Sequence, residues 1–305
     1  MKQNAIVLCC TANWLPYAAV TLQSCAEHGA AEMADFHVLV LGASGRDHAR
    51  FAAFASSRGF AATLTDVTLP PGLAQFPADR FSPAALIRLN LDALLPDGYH
   101  RVLYLDSDIL ALGPVADIFA ADLGGKALGA VEDYESLPGL LGRRHIGSIG
   151  LGKDQPYFNS GVMLFDWPRT RERAHLPRSV VRISKAMREG QKLRLPDQDV
   201  LNLEFAGDWQ RLDLRFNLMA FFVDYFPAPA VFRHFSNKQK PWGKLWQPGF
   251  APYRDYYRET FLNSPWPEFA PGKCRGLSFE GTGGILLRKL DPISGRRYHR
   301  HLQRT

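Results

Sequence analysis

Short, almost unbroken apolar runs alternate along this chain with longer stretches in which apolar and small residues recur at helical spacing. The runs at 5–10, 36–41, 62–67, 101–106, 127–132 and 157–165 predict strands; the stretches at 16–28, 45–58, 82–95, 114–120 and 175–189 predict helices. Strands that are apolar at nearly every position are buried on both faces, and strand–helix alternation marks a sheet covered by helices. The expected fold class is therefore α/β, with a mixed, mainly parallel sheet and helices on both faces. Pro70–Pro71 marks a loop rather than a break between domains. From residue 247 onward proline, aromatic and basic residues become more frequent. Residues 1–246 are thus expected to form the main body, and 247–305 a basic, aromatic C-terminal extension.

Composition narrows the classes. With 305 residues and 46% hydrophobic content, the chain can bury a substantial core. Its apolar runs fall far short of the roughly 20 residues needed to cross a bilayer, and the first of them suits a strand better than a signal peptide. The four cysteines, Cys9, Cys10, Cys25 and Cys274, lack zinc-type spacing and read as buried thiols of a reducing, cytoplasmic protein. A net charge of +6 suits acidic partners such as nucleotides or anionic lipid. The tail holds much of the basic excess, from Lys273 and Arg275 through Arg288, Lys289, Arg296, Arg297 and Arg300 to Arg304. It is expected to promote peripheral association with the inner face of a membrane. No nucleic-acid-binding module is recognisable, so no nucleic-acid partner is expected.

The first candidate chemistry lies in RVLYLDSDILALGP, residues 101–114. A strand ends there at Asp106 and Asp108, separated only by Ser107. In open α/β sheets ligands bind beyond the carboxyl ends of strands, where two nearby carboxylates can converge on one hard cation such as Mg²⁺ or Mn²⁺. Asp and Ser are also ordinary turn residues, so this segment alone leaves both readings open. Three later blocks change the balance: PYFNSGVMLFD at 156–166, LPDQDVLN at 195–202 and VFRHFSNKQKPWGKLW at 231–246.

These four blocks, in this order, resemble the retaining glycosyltransferases of family 8, and most of all the bacterial lipopolysaccharide galactosyl- and glucosyltransferases. The resemblance implies a Rossmann-like glycosyltransferase-A fold in which residues 1–246 bind a nucleotide sugar and carry the catalysis. It implies a UDP-hexose donor, a saccharide or glycolipid acceptor, and a divalent metal, Mn²⁺ or Mg²⁺, that offsets charge on the departing diphosphate. Asp106, Asp108 and His234 match the metal ligands. Lys240 and Arg88 match donor contacts; without the resemblance, Lys240 would pass as a solvated lysine and Arg88 as a surface or a buried, paired arginine. Ser107, Asn13 and Asn237 fall among the expected donor contacts. Asn159, Asp197 and Gln198 match residues near the reacting sugar, and Asp133 joins them by its place after a strand. A neutral amide at Gln198 is a poor nucleophile, which disfavours the double displacement of retaining glycosidases and favours front-face attack. Residues 134–156, with Arg143, Arg144 and His145, read as a surface loop suited to the acceptor.

Two positions depart from the family pattern. Thr11 or Ala12 stands where an aspartate commonly reads the base, and Asn237 stands where glycine is usual. Asn237 is expected to adopt the positive φ that glycine takes easily. The alternatives are a non-catalytic nucleotide-sugar-binding protein and glycogenin-like transfer to a protein or glucan primer. The two aspartates are also expected to repel each other, so that Asp108→Asn would remove most activity yet leave the fold intact or even raise stability.

Overall fold

The computed structural model describes residues 1–74, 82–133, 142–152, 155–191, 193–219, 229–236, 239–244 and 248–272. The expectations for Asn237 and for the tail from Lys273 onward lie outside these residues.

Among the described residues, ten strands form two sheets: β1 (Asn4–Thr11), β2 (Ala34–Leu41), β3 (Thr63–Asp66), β4 (Arg101–Leu105), β5 (Ile109–Ala111), β6 (Leu128–Glu132), β7 (Phe158–Asp166), β8 (Trp209–Arg211), β9 (Leu218–Met219) and β10 (Phe232–His234). The larger sheet has the order β3-β2-β1-β4-β7-β6-β8. Only β7 runs against its neighbours, β4 and β6. The smaller sheet has the order β5-β10-β9. All six strands expected from the apolar runs are present. β1 is buried along six consecutive positions, and its alternate residues feed two cores. Ile6, Leu8 and Cys10 join the helices Leu15–Glu27, Gly45–Ser57 and Ala251–Leu262; Ala5, Val7 and Cys9 face the side covered by 83–94 and the helices His175–Arg188 and Pro196–Glu204. That two-sided burial is why the strand carries no polar alternation.

Local chemistry starts the helices. Ser44 and Asp47 form a reciprocal capping box ahead of Gly45–Ser57. Pro196 occupies the first turn of Pro196–Glu204, where its missing N–H costs nothing. The stretch expected as a helix at 82–95 is instead a 3₁₀ helix, Pro83–Asn90, followed by one α-turn. Residues 142–148, expected within a surface loop, form a helix, and His145 is buried there against Asp199. Among the described residues, no helix is long and apolar enough to cross a membrane. Cys9, Cys10 and Cys25 are buried free thiols.

Candidate active site

β4 delivers Leu105 into the core and then releases the chain into Asp106-Ser107-Asp108 before β5 begins. The antiparallel pairing of β10 with β5 sets His234 opposite Ile109, and the Phe235 N–H donates to the Asp108 carbonyl at 3.0 Å. On the other side, β7 runs antiparallel to β4, so its first residues, Asn159–Gly161, lie beside the carboxyl end of β4. The Asp106 N–H donates to the Gly161 carbonyl at 2.9 Å. Three sequence-distant segments are thereby locked together by main-chain bonds.

Asp106, Asp108 and His234 each offer a ligand atom, and these atoms lie within 4.8 Å of one another. His234 Nε2 lies 3.3 Å from Asp108 Oδ1 and 3.8 Å from Asp106 Oδ2. The second oxygen of each carboxylate is already engaged. Asp106 Oδ1 accepts from Arg88 and from the Tyr104 hydroxyl, both at 2.7 Å, and Asp108 Oδ2 accepts from Lys240 at 2.5 Å. One free oxygen per aspartate therefore shares space with one imidazole nitrogen. Neighbouring ligands of an octahedral ion bonded at about 2.1 Å lie about 3 Å apart and opposite ones about 4 Å apart, so the spacing fits such an ion. The two-carboxylate, one-imidazole donor set suits Mn²⁺ or Mg²⁺ rather than a thiophilic metal. The buried Ser107 Oγ has no hydrogen-bond partner among the described residues, a second sign that the site awaits a polar ligand.

Charge is balanced tightly here. Burial opposes ionisation of Asp108, yet Lys240 and His234 overcome it and hold the carboxyl well below the usual range. Burial likewise disfavours the Arg88 cation, but Asp106, 2.7 Å away, and Asp197, 3.4 Å away, keep it charged. Its guanidinium also sits over the Tyr104 ring, 4.5 Å from the centroid. Burial raises the Asp197 carboxyl above its ordinary value despite Arg88. Arg88 is thus the buried, paired arginine of the two readings the sequence left open. The expected repulsion between the aspartates is also corrected, because each is matched by its own cation.

A hydrogen-bonded chain continues from this centre. Arg88 donates to the Ser160 carbonyl at 3.0 Å, and the Ser160 N–H donates to Gln198 Oε1 at 2.9 Å. Gln198 Nε2 donates to Asp133 Oδ2 at 3.3 Å, which also accepts from Asn159 Nδ2 at 2.8 Å. Asp133, Asn159, Asp197 and Gln198 are therefore gathered beside the Asp106–Asp108–His234 cluster. Asn13 is exposed in the turn that follows β1, where it accepts from the Thr11 hydroxyl. A cleft of about 170 Å³ opens beyond β1 and β4, lined by Cys9, Cys10, Thr11, Trp14, Arg88 and the Asp106–Asp108 turn among others. Asn13 is absent from its lining. Lys240 points at Asp108 and the Phe235 carbonyl.

One residue that the sequence did not single out closes the network. Asn217, wholly buried, donates from Nδ2 to Asn159 Oδ1 at 2.9 Å, and its Oδ1 lies 2.9 Å from His234 Nδ1. An amide oxygen accepts only, so Nδ1 donates to Asn217, which leaves Nε2 as the ring nitrogen that faces Asp106 and Asp108. Outer partners of this kind set ligand tautomer and orientation. Replacing Asn217 by Leu is expected to weaken Mn²⁺ binding by about 10- to 100-fold, measured by paramagnetic titration of free Mn²⁺. Unchanged affinity would show that the imidazole needs no such support.

A sequence profile of glycosyl transferase family 8 matches residues 5–245. The chain belongs to this family. It is 27% identical over 228 residues to lipopolysaccharide 1,2-glucosyltransferase of Escherichia coli (strain K12), covering 70% of this chain and 65% of that one. It is 27% identical over 197 residues to lipopolysaccharide 1,3-galactosyltransferase of Salmonella typhimurium, covering 61% and 56%. Glycosyltransferase GlyF of Streptococcus pneumoniae is 32% identical over 151 residues, but the match spans only 34% of that protein. Among solved structures, the galactosyltransferase LgtC with donor and acceptor sugar analogues superposes with a TM-score of 0.67 at 25% identity, over 83% of this chain and 95% of LgtC. The fold is accordingly of the glycosyltransferase-A type. It agrees with the mixed, mainly parallel sheet expected from strand–helix alternation, and the family is the one expected from the four sequence blocks.

Proposed function

We propose that this protein is a retaining hexosyltransferase that moves glucose or galactose from a UDP-sugar to a saccharide acceptor, lipopolysaccharide or another surface glycan. The observation that carries the proposal is the convergence of Asp106, Asp108 and His234 beside a cleft walled by Arg88. The lipopolysaccharide transferases among its relatives support the acceptor class. A Mn²⁺ or Mg²⁺ ion held by Asp106, Asp108 and His234 would act as a Lewis acid toward the diphosphate. Arg88, on Asp106, and Lys240, on Asp108, would add positive charge beside that position, where Lys240 could pair with phosphate. Asp133, Asn159 and Asp197 offer acceptors and donors to sugar hydroxyls. Gln198 is held at both ends of its amide, by Ser160 and by Asp133, so it positions rather than attacks. That arrangement favours front-face transfer, with the acceptor proton passing to the departing diphosphate. The buried free thiols fit a cytoplasmic enzyme, and the basic tail would hold it at the inner face of the membrane.

The test is hydrolysis of UDP-glucose and UDP-galactose by the purified chain, with Mn²⁺ or with EDTA. One sugar is expected to be hydrolysed, at least about tenfold faster with Mn²⁺. Equal rates in EDTA would remove the metal from the proposal. Tight UDP-sugar binding without turnover, alone or with saccharide acceptors, would leave a binding protein instead.

A further inference from the structure

The family match ends at residue 245, yet the helix Ala251–Leu262 reaches back to the turn that follows Lys240. Arg254 is 7% exposed. Its Nη1 donates to the Pro241 carbonyl at 2.6 Å and the Gly243 carbonyl at 2.9 Å, while Nε donates to the Gly272 carbonyl at 2.9 Å. Pro241 and Gly243 belong to the turn that follows Lys240, closed by the Gly243 N–H donating to the Lys240 carbonyl at 3.0 Å. The same turn is gripped by its ring: Trp242 stacks on Tyr17 at 4.5 Å and meets the edge of Tyr257, also on the 251–262 helix, at 4.5 Å.

We propose that Arg254 is a positioning residue for the nucleoside diphosphate: by holding the carbonyls of Pro241 and Gly243 it fixes the backbone that aims Lys240 at the Asp108 side of the metal centre. The proposal rests on the donor-binding function above. A lysine side chain is long and freely rotating, so it delivers charge to one place only if its backbone is fixed. The carbonyls of a tight turn point outward and need donors. A guanidinium supplies several N–H groups in one rigid plane, which a lysine ammonium at the same position does not.

The test uses the full chain carrying Arg254→Met, Arg254→Lys, Lys240→Met, or Arg254→Met with Lys240→Met. UDP is titrated calorimetrically in Mn²⁺, Mn²⁺ alone is titrated by its paramagnetic signal, and amide exchange is followed across 239–244. Arg254→Met is expected to weaken UDP binding at least about tenfold, as a misaimed charge-assisted contact would. Arg254→Lys should recover only part of the loss. In the Lys240→Met background, Arg254→Met should change UDP affinity by less than about twofold, because coupled residues are not additive. Exchange at 239–244 should speed up. Additive losses, or unchanged UDP affinity in a folded Arg254→Met protein, would overturn the proposal. Should the wild type not bind UDP in Mn²⁺, the donor-binding function fails first. The clamp is then judged by exchange at 239–244, and unchanged exchange there would reject it. If Arg254→Met does not fold, Arg254→Lys carries the same comparisons.

Discussion

Asp108→Asn is expected to abolish Mn²⁺-dependent transfer and to lower the stability of the metal-free protein. The first effect follows from ligand count: the variant loses one of the two free carboxylate oxygens that face His234 Nε2. The loss should exceed the about 10- to 100-fold that removal of an outer partner causes. The second effect runs against the expectation drawn from two neighbouring acids. Asp108 is 14% exposed and accepts from Lys240, so the amide leaves that cation short of its partner. A hydrogen bond to a charged group contributes about 1.5–3 kcal/mol, which sets the scale of destabilisation. The pH dependence has a definite sign. Because the folded carboxyl lies below its ordinary value, its contribution is present above the unfolded-state pKa of about 3.9. It is lost as pH falls through the folded value, so wild type and variant should converge in strong acid. Thermal melts in EDTA from neutral to acid pH check this, and melts with Mn²⁺ check the ligand role. Wild type should gain about 2.7 kcal/mol at a hundredfold excess over the dissociation constant, and the variant almost nothing. A variant stabilised by Mn²⁺ as strongly as wild type would remove Asp108 from the ligand set.

The parts of the fold that could be read from sequence are those whose identity is local. β1 and β4 are runs buried on both faces, and they appear as such in the residue pattern. The candidate metal triad that the structure brings together was legible because Asp106 and Asp108 sit on one turn and His234 stands in a recognisable block. The short strands β5, β8, β9 and β10 span only two or three residues and carry no period of their own. They exist through tertiary pairing that leaves no local trace: β5 with β10 across more than a hundred residues of sequence, β9 with β10, and β8 with β6. Asn217 was hidden for the same reason: its partners lie 17 and 58 residues away. The helix Pro196–Glu204 did have a signal, with Pro196 at its start and Asp197 and Asp199 in its first turn. Asp199 turns out to be spent internally, accepting from Tyr157, His145 and the N–H groups of Arg194 and Leu195. That buried hub ties the helix 142–148 to the segment bearing Asp197 and Gln198.

Gly161→Ala is expected to disable the centre without touching a polar group. A Cβ there would fall well inside van der Waals contact with His234 Cε1, and within 2.9 Å of both His234 Nδ1 and Asp106 Oδ2. Neither neighbour can withdraw cheaply. His234 is 3% exposed and pinned through Nδ1 to Asn217, and Asp106 is held by Arg88 and Tyr104. Nor can the backbone shift, because the Gly161 N–H donates to Asn159 Oδ1 at 3.0 Å while its carbonyl accepts from Asp106. Glycine is required here by close approach of a side chain rather than by an unusual φ. Overpacking of this kind costs about 1–3 kcal/mol, and the displaced imidazole should lower Mn²⁺ affinity by about 100-fold. Gly129→Ala is the matched control. Its Cβ would meet Leu123 Cδ2 at 2.5 Å and Leu212 Cδ1 at 3.1 Å, the far ends of two core leucines rather than any side chain of the Asp106–Asp108–His234 cluster. It should cost stability on the same scale, about 1–3 kcal/mol, while Mn²⁺ affinity and donor hydrolysis stay near wild type. Chemical denaturation and Mn²⁺ titration of the two variants side by side separate the effects. If Gly161→Ala keeps wild-type Mn²⁺ affinity, the Asp106–His234 spacing is looser than the packing around it requires, and the carbon-free surface at residue 161 serves the strand rather than the site.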